Sequence, residues 1–170
     1  MLMAAGGANS GGSAVLPDYR YIQFILESIN GDAASILAIQ EIEIATSFGG
    51  ADITTPSSPT KQQSCYDSRF CFTKAFDGNL TTTTNAYAPI ANAFPQWAWV
   101  DLLAPEKIVE IRMQAQYGYP ARGPKDFVIQ GTNDDPNGSP IWTDIQQYAG
   151  VTGWTDGVWK TFNLIDGTWV

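Results

Sequence analysis

"QWAWVDLLAPEKIVEIRMQAQ", residues 96–116, sets two runs of strand-forming residues on either side of a joint that contains Pro105. The runs 96–103 and 107–116 both read as β-strands, with Trp97 and Trp99 as core or sheet-face residues inside the first. Downstream, "KDFVIQGT" (125–132) and "VWKTFNLI" (158–165) repeat the pattern, each bounded by Pro, Gly, Asn or Asp. Upstream, "YRYIQFILES" (19–28) puts Ile22, Phe24 and Leu26 on one face and Arg20 and Gln23 on or near the other. "SILAIQEIEIA" (35–45) follows the turn "NGD" and opposes Ile42 and Ile44 to Glu41 and Glu43. Its β-branched end favours a strand, while a helix stays open for its first half. No long amphipathic helix separates these runs. Short strands joined by long polar loops imply an all-β chain, an antiparallel sandwich or jelly roll.

The chain has 170 residues, which fits one domain with a tail and allows a substantial core. Residues 1–18, rich in Gly, Ala and Ser, read as a flexible arm, and 19–170 as the domain. The arm lacks the cationic and apolar regions of a signal peptide and has no membrane span, so an extracellular site implies another route, such as assembly into a virus particle. Only nine Lys and Arg stand against seventeen Asp and Glu, for a net charge of −8. With no basic cluster to neutralise phosphates, nucleic acid is excluded as a partner, and so are anionic lipid and membrane insertion.

Histidine is absent. That removes the commonest general base, the usual zinc ligand and the Ser/His and Cys/His nucleophile pairs, so the chain reads as a non-enzyme. Carboxylates that a glycosidase would need exist at Glu41, Glu43, Asp77 and Asp101, but strand spacing brings no acid and base into one cleft. Cys65 and Cys71, six apart in "SCYDSRFC", fit either a tight disulfide loop or two free thiols. Asn79 and Asn137 match the glycosylation acceptor pattern, which has meaning only in a eukaryotic secretory route.

The ordered series "AFDGN", "PQWAWVDLLAPEKIVEIRM", "RGPKDFVIQGTND" and "IWTDI" resembles the discoidin, or coagulation factor type C, family, which overlaps with the galactose-binding-like carbohydrate modules. The opening strand pair resembles the pair that closes many members at their C-terminus. Here it comes first, an arrangement familiar in phage and bacterial relatives and tolerable where chain ends lie side by side. The resemblance implies a jelly roll, and in "KAFDGNLTTTT" (74–84) it implies a structural calcium site. Its ligands would be carbonyls of Lys74 (or Ala75) and Asn79, carboxylates of Asp77 and Glu41, and the Thr82 hydroxyl. Calcium takes six to eight such oxygens in flexible geometry. A polar turn with Asp77 capping backbone amides is the alternative.

Sugar recognition needs aromatic faces and planar polar side chains in loops. The loops offer Tyr66, Asp67 and Arg69; Asn85, Tyr87, Asn92 and Phe94; Tyr117, Tyr119 and Arg122; and Tyr148, Trp154 and Asp156. Arg69, Tyr117, Tyr119, Arg122 and Trp154 are the expected ligand contacts. The function expected is a glycan-binding adhesion module on a virion or cell surface, displayed in many copies. The alternative is a phage decoration or fibre subunit whose arm docks on other virion proteins.

Overall fold

The computed structural model describes residues 16–31, 36–90 and 93–170. Among the described residues eight strands form two antiparallel sheets. They are β1 (Tyr19–Ile29), β2 (Ile39–Ala45), β3 (Thr60–Gln62), β4 (Gln96–Glu106), β5 (Glu110–Ala115), β6 (Pro124–Thr132), β7 (Thr143–Tyr148) and β8 (Lys160–Asn163). One sheet has the order β3-β4-β1-β6-β7 and the other β2-β5-β8. The all-β sandwich read from the sequence is therefore the fold.

Alternation decides what each strand buries. β1 turns Ile22, Phe24 and Leu26 into the core, where they meet Ala98 and Val100 of β4 and Phe127 and Ile129 of β6. In the smaller sheet, register aligns Ile44, Ile111 and Phe162 across β2, β5 and β8, all fully buried. Between Cys71 and Asp77 a single 3-10 turn, Phe72–Phe76, closes one end of the core. Its Phe72 ring lies edge-on to Phe24, Phe76 and Tyr87, with centroids 5.7, 5.1 and 4.9 Å away.

Several boundaries differ from the sequence reading. The helix left open for the first half of 35–45 does not form in its described part, since residues 36–38 are irregular and the strand begins at Ile39. Strands β3 and β7 escaped notice because "TKQ" and "TDIQQY" are polar edge strands with little apolar alternation. Most of the expected arm lies outside the described residues; its last part, 16–18, does not. Leu16 packs against the core and the Asp18 carbonyl accepts the Asn133 amide at 3.0 Å, so the domain includes at least residues 16–18. Among the described residues no helix is long and apolar enough to cross a membrane.

Because the fully buried Phe72 ring packs on Phe24, Phe76 and Tyr87, Phe72→Ala is expected to cost about 3–5 kcal/mol of stability in urea unfolding. A change within about 0.5 kcal/mol, the range of ordinary surface substitutions, would show that the turn is not part of the cooperative core.

Candidate functional site

At one end of the sandwich the loops 65–71, 77–85, 116–123 and 150–157 converge, and two buried amides tie 77–85 to 116–123. Gln40, the second residue of β2, is fully buried. Its Nε2 donates to the carbonyls of Asn79 and Asn85 at 2.5 and 2.7 Å, and its Oε1 accepts the Tyr117 amide at 3.0 Å. Gln116, just past β5, donates to the Thr83 carbonyl at 2.7 Å and accepts Arg122 Nη1 at 2.9 Å. Buried amides need such partners, and here their partners are the loops themselves. The Gly118 amide adds a bond to Asp156 at 2.8 Å.

Arg122 is thereby fixed in direction. Its guanidinium stacks over the Tyr119 ring at 4.1 Å and faces a pocket of about 220 Å³. Ile36, Tyr66, Phe70 and Ala88 complete the lining. Tyr66 and Phe70 come from the loop that Cys65 and Cys71 close as a disulfide, which decides between the two readings of that pair. The two rings meet edge to face at 5.9 Å. An aromatic wall beside a guanidinium is the combination a sugar ring needs, an apolar face next to hydroxyls.

The expected ligand residues divide. Arg122 lines the pocket, and Tyr119, outside its lining, backs the guanidinium. Arg69 lies beside it, over the Phe70 ring at 5.5 Å, but its guanidinium is held by Asp67 at 2.7 Å. That bond keeps the Asp67 carboxyl below its usual range. Tyr117 is exposed and does not line the pocket. Trp154 is a correction: it is 8% exposed, packs on Phe162, donates its indole N–H to the Pro124 carbonyl at 3.0 Å, and is overlain by Lys160. A Cβ at Gly123 would come within 2.5 Å of its ring, so the loop is built around it as core. Tyr87 and Tyr148 are likewise buried, Tyr148 as the last residue of β7 and not in a loop. Asn92 lies outside the described residues. Phe70 and the two glutamines were missed, since nothing in their local sequence distinguishes them from ordinary polar-loop and strand residues.

The turn 77–85 covers the outer face of β2, which is why Glu41 is only 4% exposed although it points away from the core. Gly78, with φ +74°, supplies the bend, and its amide donates to Glu41 Oε1 at 3.1 Å. Burial pushes the Glu41 carboxyl up to about 7, against the effect of that bond. Glu41 Oε2 and Thr82 Oγ1 are both buried with no hydrogen-bond partner. Asp77 accepts the Asn79 amide at 3.0 Å and Asn85 Nδ2 at 2.5 Å, with Lys74 Nζ 3.6 Å away. The Asp77 part of the alternative, a carboxylate capping its own turn, is thus present in the structure. The orphaned Glu41 Oε2 and Thr82 Oγ1, with the Asp77 carboxylate, are hard oxygens of the kind calcium takes. Among the described residues no three acidic, His or Cys side chains cluster, so the remaining donors would be neutral oxygens.

A family model for F5/F8 type C, NedA-like, galactose-binding domains matches residues 74–168. The match covers β4 to β8 and the loops 77–85, 116–123 and 150–157, and leaves β1, β2, β3 and the loop 65–71 outside it. The family is one of binding domains, not a catalytic one. No curated protein and no solved structure matches the chain.

Gln40→Leu would keep the side chain's bulk but leave two carbonyls and an amide without their partner. It is expected to lower stability by about 1–3 kcal/mol in urea unfolding. An unchanged midpoint would mean that the loops are held without it.

Proposed function

The chain belongs to the F5/F8 type C family of NedA-like, galactose-binding domains, and from that premise we propose that it is a non-catalytic glycan-binding module displayed on a virion or cell surface. Sugar ligands follow from the family at the coarse level. The observation that carries the finer reading is the loop pocket, where Arg122 stacks on Tyr119 opposite Tyr66 and Phe70. Its volume of about 220 Å³ lies below the roughly 300–1,000 Å³ of sites for larger small molecules, which fits a single terminal sugar. Weak binding at so small a site becomes useful adhesion when many copies act together.

Calcium belongs to this proposal as a structural ion. Glu41, Asp77 and Thr82 would hold it with carbonyls from the Lys74–Asn79 stretch. The ion would supply positive charge to two carboxylates and a partner to the orphaned oxygens. This chain's residues then do the rest: Gln40 and Gln116 pass the position of the turn to the Tyr117 loop and to Arg122.

Two measurements test these readings separately. On a broad glycan array, the bead-multimerised domain is expected to bind galactose-containing or related terminal sugars, and Arg122→Ala to weaken that binding about 10-fold or more while the protein stays folded. Equal binding by the variant would remove Arg122 from the site, and no binding by the folded parent would reject the glycan reading. In thermal unfolding, calcium is expected to raise the Tm, since an ion at a hundred times its Kd adds about 2.7 kcal/mol. Asp77→Ala should abolish that rise; an unchanged response would reject this turn as the calcium site.

A further inference from the structure

The outer face of the five-stranded sheet carries a second concavity that shares no residue with the loop pocket and is about twice its volume, at about 450 Å³. Its floor follows from strand alternation. While Phe24, Ala98 and Ile129 point inward, Gln23, Trp97, Trp99 and Gln130 point out. Register sets Gln23 between Trp99 and Gln130, so an indole and two amides run in one row across β4, β1 and β6. Trp97 opens the next row beside Ile25, about 7 Å along β4 from Trp99. The connection between β6 and β7 forms the wall with Pro136, Pro140 and Trp142.

The wall is anchored. Lys61 on edge strand β3 donates to Asn137 Oδ1 at 3.0 Å, so the β6–β7 connection reaches over the face to the far strand. At the other side Gln130 Nε2 donates to Asp144 at 2.6 Å, which orients that amide and leaves its oxygen as an acceptor. Trp99 is steadied by the edge of Tyr21 at 5.8 Å.

We propose that this cleft binds an extended, neutral oligosaccharide, a segment several sugar rings long. None of the described residues lining it is charged, on a chain of net charge −8, so it selects neither an anionic nor a cationic partner. The indole faces of Trp97 and Trp142 take the apolar sides of pyranose rings, and the half-buried Gln130 amide exchanges hydrogen bonds with hydroxyls, with Gln23 buried in the floor beside it. Trp97 on the floor and Trp142 in the wall, both half-buried, serve successive rings, and the buried Trp99 backs the floor beneath them. The cleft shares with the loop-pocket reading only the premise that the module binds carbohydrate. The two differ in ligand, a chain segment here and a terminal sugar there.

The test uses the whole chain and a panel of neutral hexasaccharides cut from β-linked glucan, xylan, mannan and galactan. Indole N–H signals are followed by NMR and affinity by calorimetry. One hexasaccharide is expected to shift the Trp97 and Trp142 signals saturably and to bind more tightly than its disaccharide. Trp142→Ala, in the wall, should weaken it about tenfold, as should Trp97→Ala if that variant remains folded; Gln130→Ala serves as the milder floor variant. Arg122→Ala should leave hexasaccharide affinity unchanged, which separates this site from the loop pocket. The proposal is overturned if no hexasaccharide shifts these indoles, if only Arg122→Ala weakens binding, or if the face proves to be a contact between two copies, seen as self-association that Trp142→Ala abolishes.

Discussion

Everything in this molecule hangs on β1 lying hydrogen-bonded between β4 and β6. Its register runs from Tyr19 to Leu26 against β4 and from Tyr21 to Ile29 against β6, so it is the central strand of the larger sheet. Remove it and β4 and β6 become two unpaired edges, each with a row of unsatisfied backbone groups. The same strand divides the chemistry of the two faces. Ile22, Phe24 and Leu26 close the core, while Gln23 and Ile25 floor the outer cleft.

Yet β1 and β2 precede the segment that matches the family model. A sheet's hydrogen bonds and side-chain packing depend on which strands lie side by side, not on their order along the chain. An antiparallel strand can therefore be supplied from either end, provided the connections reach. β2 repeats the lesson in the smaller sheet: it pairs with β5 and brings Gln40 and Glu41 to the turn at 77–85. The loop end of the domain is thus completed by residues from outside the matched region.

The loops owe their order to buried polar groups more than to apolar packing. Gln40 and Gln116 are planar groups with a donor and an acceptor at opposite corners, which lets each tie two loops together while satisfying itself. Arg122 is the beneficiary, held by Gln116 on one side and Tyr119 on the other. A charged side chain ordered in advance loses less conformational freedom when a ligand arrives.

The sequence by itself determined the sandwich, because period-two alternation in "YRYIQFILES" and in the runs after Gln96 has one economical solution, a sheet with one buried face. It also determined the polar, aromatic-rich loops and the acidic turn around Asp77. What it left undecided is which aromatics face water. Trp154, Tyr87 and Tyr148 sit among loop-like residues but are buried, while Trp97 sits in a strand and stays half-open to an outer cleft. Local sequence cannot separate these cases, because exposure is set by what another segment places on top. Phe162 and Lys160 cover Trp154, and the turn at 77–85 covers Glu41. Only the tertiary structure brings Arg122 to Tyr66 and Phe70, across a gap of some fifty residues, because long-range contacts are chosen by the packing of the whole core and not by the residues that meet.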